Sequence, residues 1–451
     1  MKFRYLLILL ISLSSIAQET PEDYSFSLEE AIQFGLENNY SSINAQKDVE
    51  IALKQKWEII AQGLPQVSAT GDYQNNLNLP VQLLPAEIVG GERGEFIPVT
   101  FGTKHNVNAT ATWNQLIFDG SYIVGIQSAK TLLQISENAK TKTDLEIKKA
   151  VINAYGNVLL AEENVAILQK NVENVQKNYD ETNEIYQNGL AEQEDVEQLE
   201  ITLINLKNNL SRSKRMRDIA YEMFNLTLGI PVEIPVNLTE ELDTLAMQYF
   251  DLELLQEEIP VEENIDYRIA ANTADSREIE VKLEKSKALP SLSGFLNYGV
   301  QGFSQEFTFF NEDQEYFGQS ILGVSLNIPI FSSGMRNSRT QQKQIAYEQA
   351  MIELEQTENE VKRQINSAKS DYEFSLENYQ AQKKNLELAE RIENKNQIKF
   401  FEGIASSFEL SEAQRQLYQA QQDFLQSMLD VITAKVELEN LLDTRKYNNE
   451  D

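Results

Sequence analysis

Leu64-Pro65-Gln66-Val67-Ser68-Ala69-Thr70-Gly71-Asp72-Tyr73 returns later in the chain as Leu289-Pro290-Ser291-Leu292-Ser293-Gly294-Phe295-Leu296-Asn297-Tyr298. Both stretches change side every residue. Val67, Ala69, Gly71 and Tyr73 alternate with Ser68, Thr70 and Asp72, and Leu292, Gly294, Leu296 and Tyr298 alternate with Ser291, Ser293 and Asn297, Phe295 being the exception. A period of two is the signature of a strand with one apolar and one polar face. Two further stretches carry it. Val107, Ala109, Ala111 and Trp113 alternate with Asn106, Asn108, Thr110 and Thr112, and Leu322, Val324, Leu326 and Ile328 alternate with Gly323, Ser325 and Asn327. These are four strands of roughly 10 to 13 residues, the length and pattern of strands that cross a bilayer. A soluble sandwich would need an opposing sheet, and nothing else in the chain reads as one. Four strands cannot close a barrel within one chain. Leu79 to Lys104 and Ser304 to Gln319 are polar, aperiodic and contain Gly and aromatic residues, as long external loops do.

Beyond the strands the period becomes helical. Ile117-Phe118-Asp119-Gly120 returns as Ile330-Phe331-Ser332-Ser333-Gly334, and Asn188-Gly189-Leu190-Ala191 as Glu402-Gly403-Ile404-Ala405. The step from Gly120 to Gly189 and from Gly334 to Gly403 is 69 positions in both cases. Each interval reads as one long helix, Ser121 to Tyr186 and Arg336 to Phe400, on the order of 100 Å at about 1.5 Å per residue. Val151, Ala154, Val158, Ala161, Val165, Leu168, Val172, Val175, Tyr179, Thr182 and Tyr186 step by three and four, a heptad seam. Ile365, Ala368, Tyr372, Tyr379, Leu386 and Ala389 form a looser one. Shorter helices, Asp195 to Leu228 and Phe408 to Leu442, answer each long one across a turn where Gly189 or Gly403 takes the left-handed conformation. Ser27 to Gln62 reads as a further helix. A long-period repeat of this kind is an architecture in which a unit buries its faces against copies of itself.

Composition removes several function classes. The 451 residues carry a net charge of −31, which disfavours nucleic acid and anionic surfaces as partners. There is no Cys, hence no disulfide, thiol nucleophile or Cys-ligated metal. The single His, His105, sits in a strand and reads as a packing residue. No phosphate-binding loop, zinc-protease motif or Ser-His-Asp set is present, so no catalytic, cofactor or metal residues are assigned. Lys2 and Arg4, the apolar run Tyr5 to Leu13 and Ser15-Ile16-Ala17 read as a secretory signal cleaved before Gln18.

The duplicated Leu-Pro strand starts, the Ile-Phe-x-Gly and Ile-Phe-x-x-Gly strand ends and the Gly turns followed six residues later by Asp195 and Glu409 resemble the outer membrane efflux protein family, the TolC-type exit ducts of Gram-negative bacteria. The resemblance covers residues 20 to 445. It implies an α+β membrane protein that forms a homotrimer. Three chains would close a 12-stranded β-barrel in the outer membrane, continued into the periplasm by a coiled-coil barrel of twelve helices. The organisation that follows is a signal peptide at 1–17 and a first repeat at 18–240, with strands at 64–80 and 105–118 and a helical hairpin at 121–228. A linker at 241–262 leads to a second repeat at 263–445, with strands at 290–303 and 319–331 and a hairpin at 334–443, then a tail at 446–451. The function implied is a passive exit duct of a tripartite efflux pump or type I secretion system. Its partners would be a periplasmic adaptor, an inner-membrane pump and outer-membrane lipid. The competing reading is a periplasmic coiled-coil adaptor or scaffold without a pore. The exported cargo and the pump class are not encoded.

By the same resemblance, Glu409 and Glu412 occupy positions where the family lines its periplasmic entrance with acids. A threefold ring would gather six carboxylates, raise their pKa values and favour cations. Ser406-Ser407-Phe408-Glu409 also fits a capping box, in which Glu409 only satisfies the helix start. Asp195 matches a position that holds the entrance closed, but Phe400 and Ala405 replace its family partners, tyrosine and arginine. Gly189, Leu190, Gly403 and Ile404 would form tips that dock the adaptor, with ordinary turn packing as the other reading. Tyr73 and Trp113 are candidate lipid-interface residues.

Overall fold

The structure, a computed structural model, describes residues 24–256 and 260–442. The expected signal peptide and tail, and residues 257–259 of the expected linker, lie outside the described residues. In chain order the elements are β1 (Tyr24–Phe26), α1 (Leu28–Asn38), α2 (Tyr40–Ala61), β2 (Gln66–Asn75), β3 (Val81–Pro85), β4 (Phe96–Thr100), β5 (His105–Asp119), α3 (Gly120–Gln187) and α4 (Gln193–Leu228). They continue with β6 (Val236–Leu238), α5 (Leu242–Gln248), α6 (Ile265–Ser286), β7 (Ser291–Ser304), β8 (Tyr316–Asn327), α7 (Met335–Phe401) and α8 (Ser407–Leu442). The chain divides into two compact units: one of residues up to 44, 141–264 and from 361 onward, the other of residues 45–140 and 265–360.

The second unit holds the sheet. Its four strands run in the order β2-β5-β7-β8, every neighbour antiparallel. The register pairs Val67 with Trp113, Trp113 with Leu296 and Leu296 with Leu322, so one apolar row crosses all four strands. A shift between Leu116 and Phe118 bulges β5 near its end. The alternation that marks each strand therefore adds up to a sheet with two unlike faces, and among the described residues both its outer strands, β2 and β8, keep an unpaired edge.

The strand limits differ from expectation where local chemistry intervenes. β8 stops at Asn327 and does not reach 331, because Pro329 has no N–H to continue the ladder. Ile330 and Phe331 are consequently exposed. β2 is shorter than 64–80, ending at Asn75. The segment 79–104, expected as an aperiodic loop, holds the hairpin β3–β4, with Val81 paired to Thr100 and Pro85 to Phe96.

The first unit is helical. The seam on α3 is enclosed over most of its length, with Val151, Val158 and Val175 fully buried and Leu168 and Thr182 nearly so, but its last member, Tyr186, is exposed. Leu168 and Val175 pack with Leu203 and Leu206 of α4, while Val151 and Val158 meet Ala368, Tyr372 and Tyr379 of α7 and Leu425, Val431, Ile432 and Val436 of α8 in one core. Short elements close one side of this core. β1 pairs in parallel with β6, and the buried Tyr155 hydroxyl donates to Phe26 O at 3.2 Å. Tyr372 donates to Tyr249 O at 2.6 Å and accepts from Asp251 N at 2.9 Å. The expected single helix from Ser27 to Gln62 is two, α1 and α2, because Asn39 is extended (φ −61°, ψ 135°). Its side chain accepts from Ser41 N at 2.7 Å and donates to Thr227 O at 2.8 Å, which holds the break. Opposite it, Gly229 ends α4 in the left-handed region (φ +81°), and a Cβ there would lie 2.3 Å from Asn38 O. Only glycine fits so close an approach.

Candidate functional site

Two features of the described residues are candidates for a functional surface: the exposed apolar face of the sheet and the two exposed helix turns.

On the sheet, Val67, Tyr73, Leu296, Tyr298, Leu322, Val324 and Leu326 share one face and all are exposed. The other face carries amides and hydroxyls, among them Thr70, Gln74, Asn108, Thr112, Asn297 and Ser325, interrupted by Phe295, Phe303, Phe317 and Ile321. Across the four strands there is no Lys or Arg. Tyr73 and Trp113 lie on the apolar face, six positions apart in register, on the order of 20 Å along the strands. Tyr73 is half exposed and its hydroxyl is 2.8 Å from His105 Nδ1. His105 is buried among Tyr73 and Phe307 and has the packing role its isolation in the sequence suggests. Phe307 and Phe309 complete an aromatic cluster with Tyr73 at that end of the face, ring centroids 5.5 and 6.2 Å away. The sequence reading missed these two phenylalanines; their signal was the run Phe307-Thr308-Phe309-Phe310 directly after a strand.

The helix turns are built alike. Gly189 (φ +75°) and Gly403 (φ +72°) end α3 and α7. Leu190 N donates to Ile185 O at 3.0 Å and Ile404 N to Lys399 O at 2.8 Å, the bond that closes a helix end over a left-handed residue. Such turns commonly tuck the next apolar side chain against the helix. Here Leu190 stays 80% exposed and Ile404 69%. Both present an aliphatic side chain to solvent.

The acidic residues have partners within the chain. Glu409 accepts from Ser406 N at 2.9 Å and from its hydroxyl at 3.2 Å, while Glu409 N donates back to that hydroxyl at 3.3 Å. The capping box is therefore formed, and the Ser406 N–H holds the Glu409 carboxyl below its ordinary pKa. Glu412 receives two bonds from Arg415, at 3.0 and 2.5 Å, which hold its pKa down as well. Within a single chain each carboxylate has donors beside it that favour the charged form. Arg415 was not singled out from the sequence, although a basic residue three positions on is the signal for such a pair. Asp195 lies in the first turn of α4, where a negative charge suits the helix start. Phe400 packs edge-on against Phe401 at 5.4 Å, and Ala405 donates its N–H to Lys399 O at 3.2 Å.

Among the described residues no helix is long and apolar enough to cross a membrane. Residues 261–444 match the family described as outer membrane efflux protein. The matched stretch takes in most of the second repeat and less than half of the chain. Proteins of this family are transport channels, not enzymes. The fold extends the likeness to the first half. The chain superimposes on CusC, solved in a study of folding and transmembrane channel formation, with a TM-score of 0.72 at 18% identity, covering 95% of each chain. The outer membrane protein VceC of Vibrio cholerae gives 0.70 at 14% identity, over 92% of this chain and 95% of that one. The Campylobacter jejuni CmeC outer membrane channel gives 0.71 at 16%, over 94% and 87%. No curated protein sequence matches the chain.

Proposed function

We propose that three copies of this chain form an outer-membrane exit duct, passive in itself, that conducts substrates from a periplasmic adaptor and inner-membrane pump to the exterior. The observation that carries the proposal is the four-stranded sheet with an exposed apolar face and two unpaired edges. Unpaired backbone groups cannot stand in a bilayer, so a sheet there must close on itself. Four antiparallel strands per copy close without any parallel pair, β8 of one copy against β2 of the next. Three copies give twelve strands, apolar side to lipid and amide-lined side to the lumen, with the Tyr73 cluster at one rim and Trp113 toward the other. The repeats at 18–240 and 263–445 would then each supply two strands and one helical hairpin to the ring.

The helices would continue the wall into the periplasm, with the Gly189 and Gly403 turns at the far end. Leu190 and Ile404 supply apolar contacts for the helical hairpins of an adaptor. Glu409, Glu412 and Asp195 would line the entrance. Because Glu409 caps its own helix and Glu412 holds Arg415, a ring built from them is an alternating set of charges with net negative sign, three Arg415 against six carboxylates. It favours cations less strongly than six bare acids. Efflux and type I secretion fit the duct equally.

The test is extraction. A duct resists alkaline carbonate washing of envelope membranes and leaves them in detergent as a three-chain particle. A coiled-coil scaffold without a pore comes off in the wash as a water-soluble protein.

A further inference from the structure

Helix α4 carries two seams. One, through Val196, Leu199, Leu203 and Leu206, is buried within the chain. The other, Met216, Ile219, Met223 and Leu226, steps by three, four and three and is exposed along its whole length. Leu226 lies two positions from the fully buried Leu228, about 200° around the helix, so it points to the opposite flank. Helix α7 has the same character. Tyr372 is fully buried, while Phe374, again two positions on, is 66% exposed. A helix with apolar residues on two opposite flanks belongs to a curved wall of helices and has a neighbour on each side.

We propose that Phe374 of one copy packs onto Met223 and Leu226 of the next, and that this contact sets the axial register of the helical wall. The proposal rests on the duct reading above and names the surface by which a second copy completes the wall. Heights along the helices are fixed by contacts inside one chain. The Tyr379 and Phe424 rings lie 5.5 Å apart, so five residues further from the turn Phe374 is level with Leu429. Leu429 reaches Gly156, where a Cβ would come within 2.7 Å of its Cδ1. Between α3 and α4, Tyr221 bonds Glu162 at 2.6 Å and Lys207 bonds Gln176 at 2.8 Å, one antiparallel register that puts Gly156 level with Thr227. Phe374 and Leu226 are therefore at the same height in one molecule, and both are exposed. Rotation about an axis parallel to the helices moves a copy sideways and leaves heights unchanged. The Phe374 ring then arrives at the Met223–Leu226 step of the neighbour, both of them more than half exposed in a single chain.

The absence of Cys makes the test clean. Phe374→Cys and Leu226→Cys are introduced together, and envelope membranes are treated with a short bismaleimide. Denaturing gels should show bands of two and three linked chains and none larger. Pairing Phe374→Cys with Ile204→Cys, about 33 Å away along α4 at 1.5 Å per residue, should leave only single chains. If the 374/226 pair stays as single chains while the detergent particle still contains three, the register is wrong and the duct reading stands. If the particle itself is one chain, the duct reading fails and the contact fails with it.

Discussion

Leu322 gives the sharpest test of which side of the sheet meets lipid. It is the seventh of twelve residues in β8, paired with Leu296, and 77% exposed on the apolar face. Twelve residues at about 3.4 Å, tilted by about 40°, rise through roughly the 30 Å of a hydrocarbon core, so Leu322 would lie near the midplane. An arginine there costs about 2–4 kcal/mol per chain in a barrel. Three symmetric copies give about 6–12 kcal/mol for the assembly, enough to abolish a folded barrel of ordinary stability. Ser325→Arg, three residues on and on the polar face, keeps its charge in the water-filled lumen and should cost little. The assay is folding of purified protein into lipid vesicles, read by resistance of the folded band to heat and urea. Leu322→Arg should fail or fold with greatly reduced stability, and Ser325→Arg should fold as wild type. If both behave alike, the apolar face does not face lipid. In a water-soluble sheet an exposed Leu322 could become Arg at almost no cost, and that result would refute the reasoning outright.

Four further outcomes follow from particular contacts. Gly229→Ala forces a Cβ against Asn38 O at φ +81° and should destabilise the helical unit by about 1–3 kcal/mol, read from its denaturant midpoint. Burial raises the pKa of Glu393, which sits beside Gln414 and Tyr418 of α8. The folded state prefers its neutral form, so stability is full below the ordinary carboxylate value of 4.5 and declines as pH rises past it, and Glu393→Gln should flatten that slope in urea titrations at several pH values. Replacing Leu190 and Ile404 together by Asp should abolish export in cells while trimer levels on native gels stay unchanged; intact export would remove the adaptor-docking role. Glu412→Gln should weaken block by divalent cations in bilayer recordings, and it frees Arg415 to oppose cations, so block should fall further than neutralising the acid alone implies.

Much of the architecture was legible because it rests on local chemistry. The alternation around Val107–Trp113 and Leu322–Leu326 located the strands, and the three-four spacing from Val151 to Tyr186 located the buried seam. The reading failed where one residue overrides a periodic pattern. Asn39 breaks a continuous helical signal because its side chain accepts from Ser41 N at the start of α2 and donates to Thr227 O of α4. Pro329 stops β8 inside an apolar run that otherwise continues through Phe331. The hairpin of Val81–Pro85 and Phe96–Thr100 is masked by Pro80, Pro85 and Pro98, which weaken any strand signal although its ladder forms. At the candidate entrance, the type and spacing of Glu409 and Glu412 were visible, but their charge state was not, since it depends on Ser406 and Arg415 adopting particular rotamers. The proposed pairing of β2 and β8 edges between copies has no signature in one chain beyond the fact that four strands are too few.

Single-channel recording measures the central claim most directly. Purified, detergent-extracted protein is added to one side of a planar lipid bilayer, and current is recorded as divalent cations are added to either side in turn. The account predicts stable, cation-preferring steps, blocked more strongly from the side that faces the helix turns. Protein that inserts as a three-chain particle yet passes no current, both as wild type and with Gly403 and Asp195 replaced to loosen the turns, would contradict a pore.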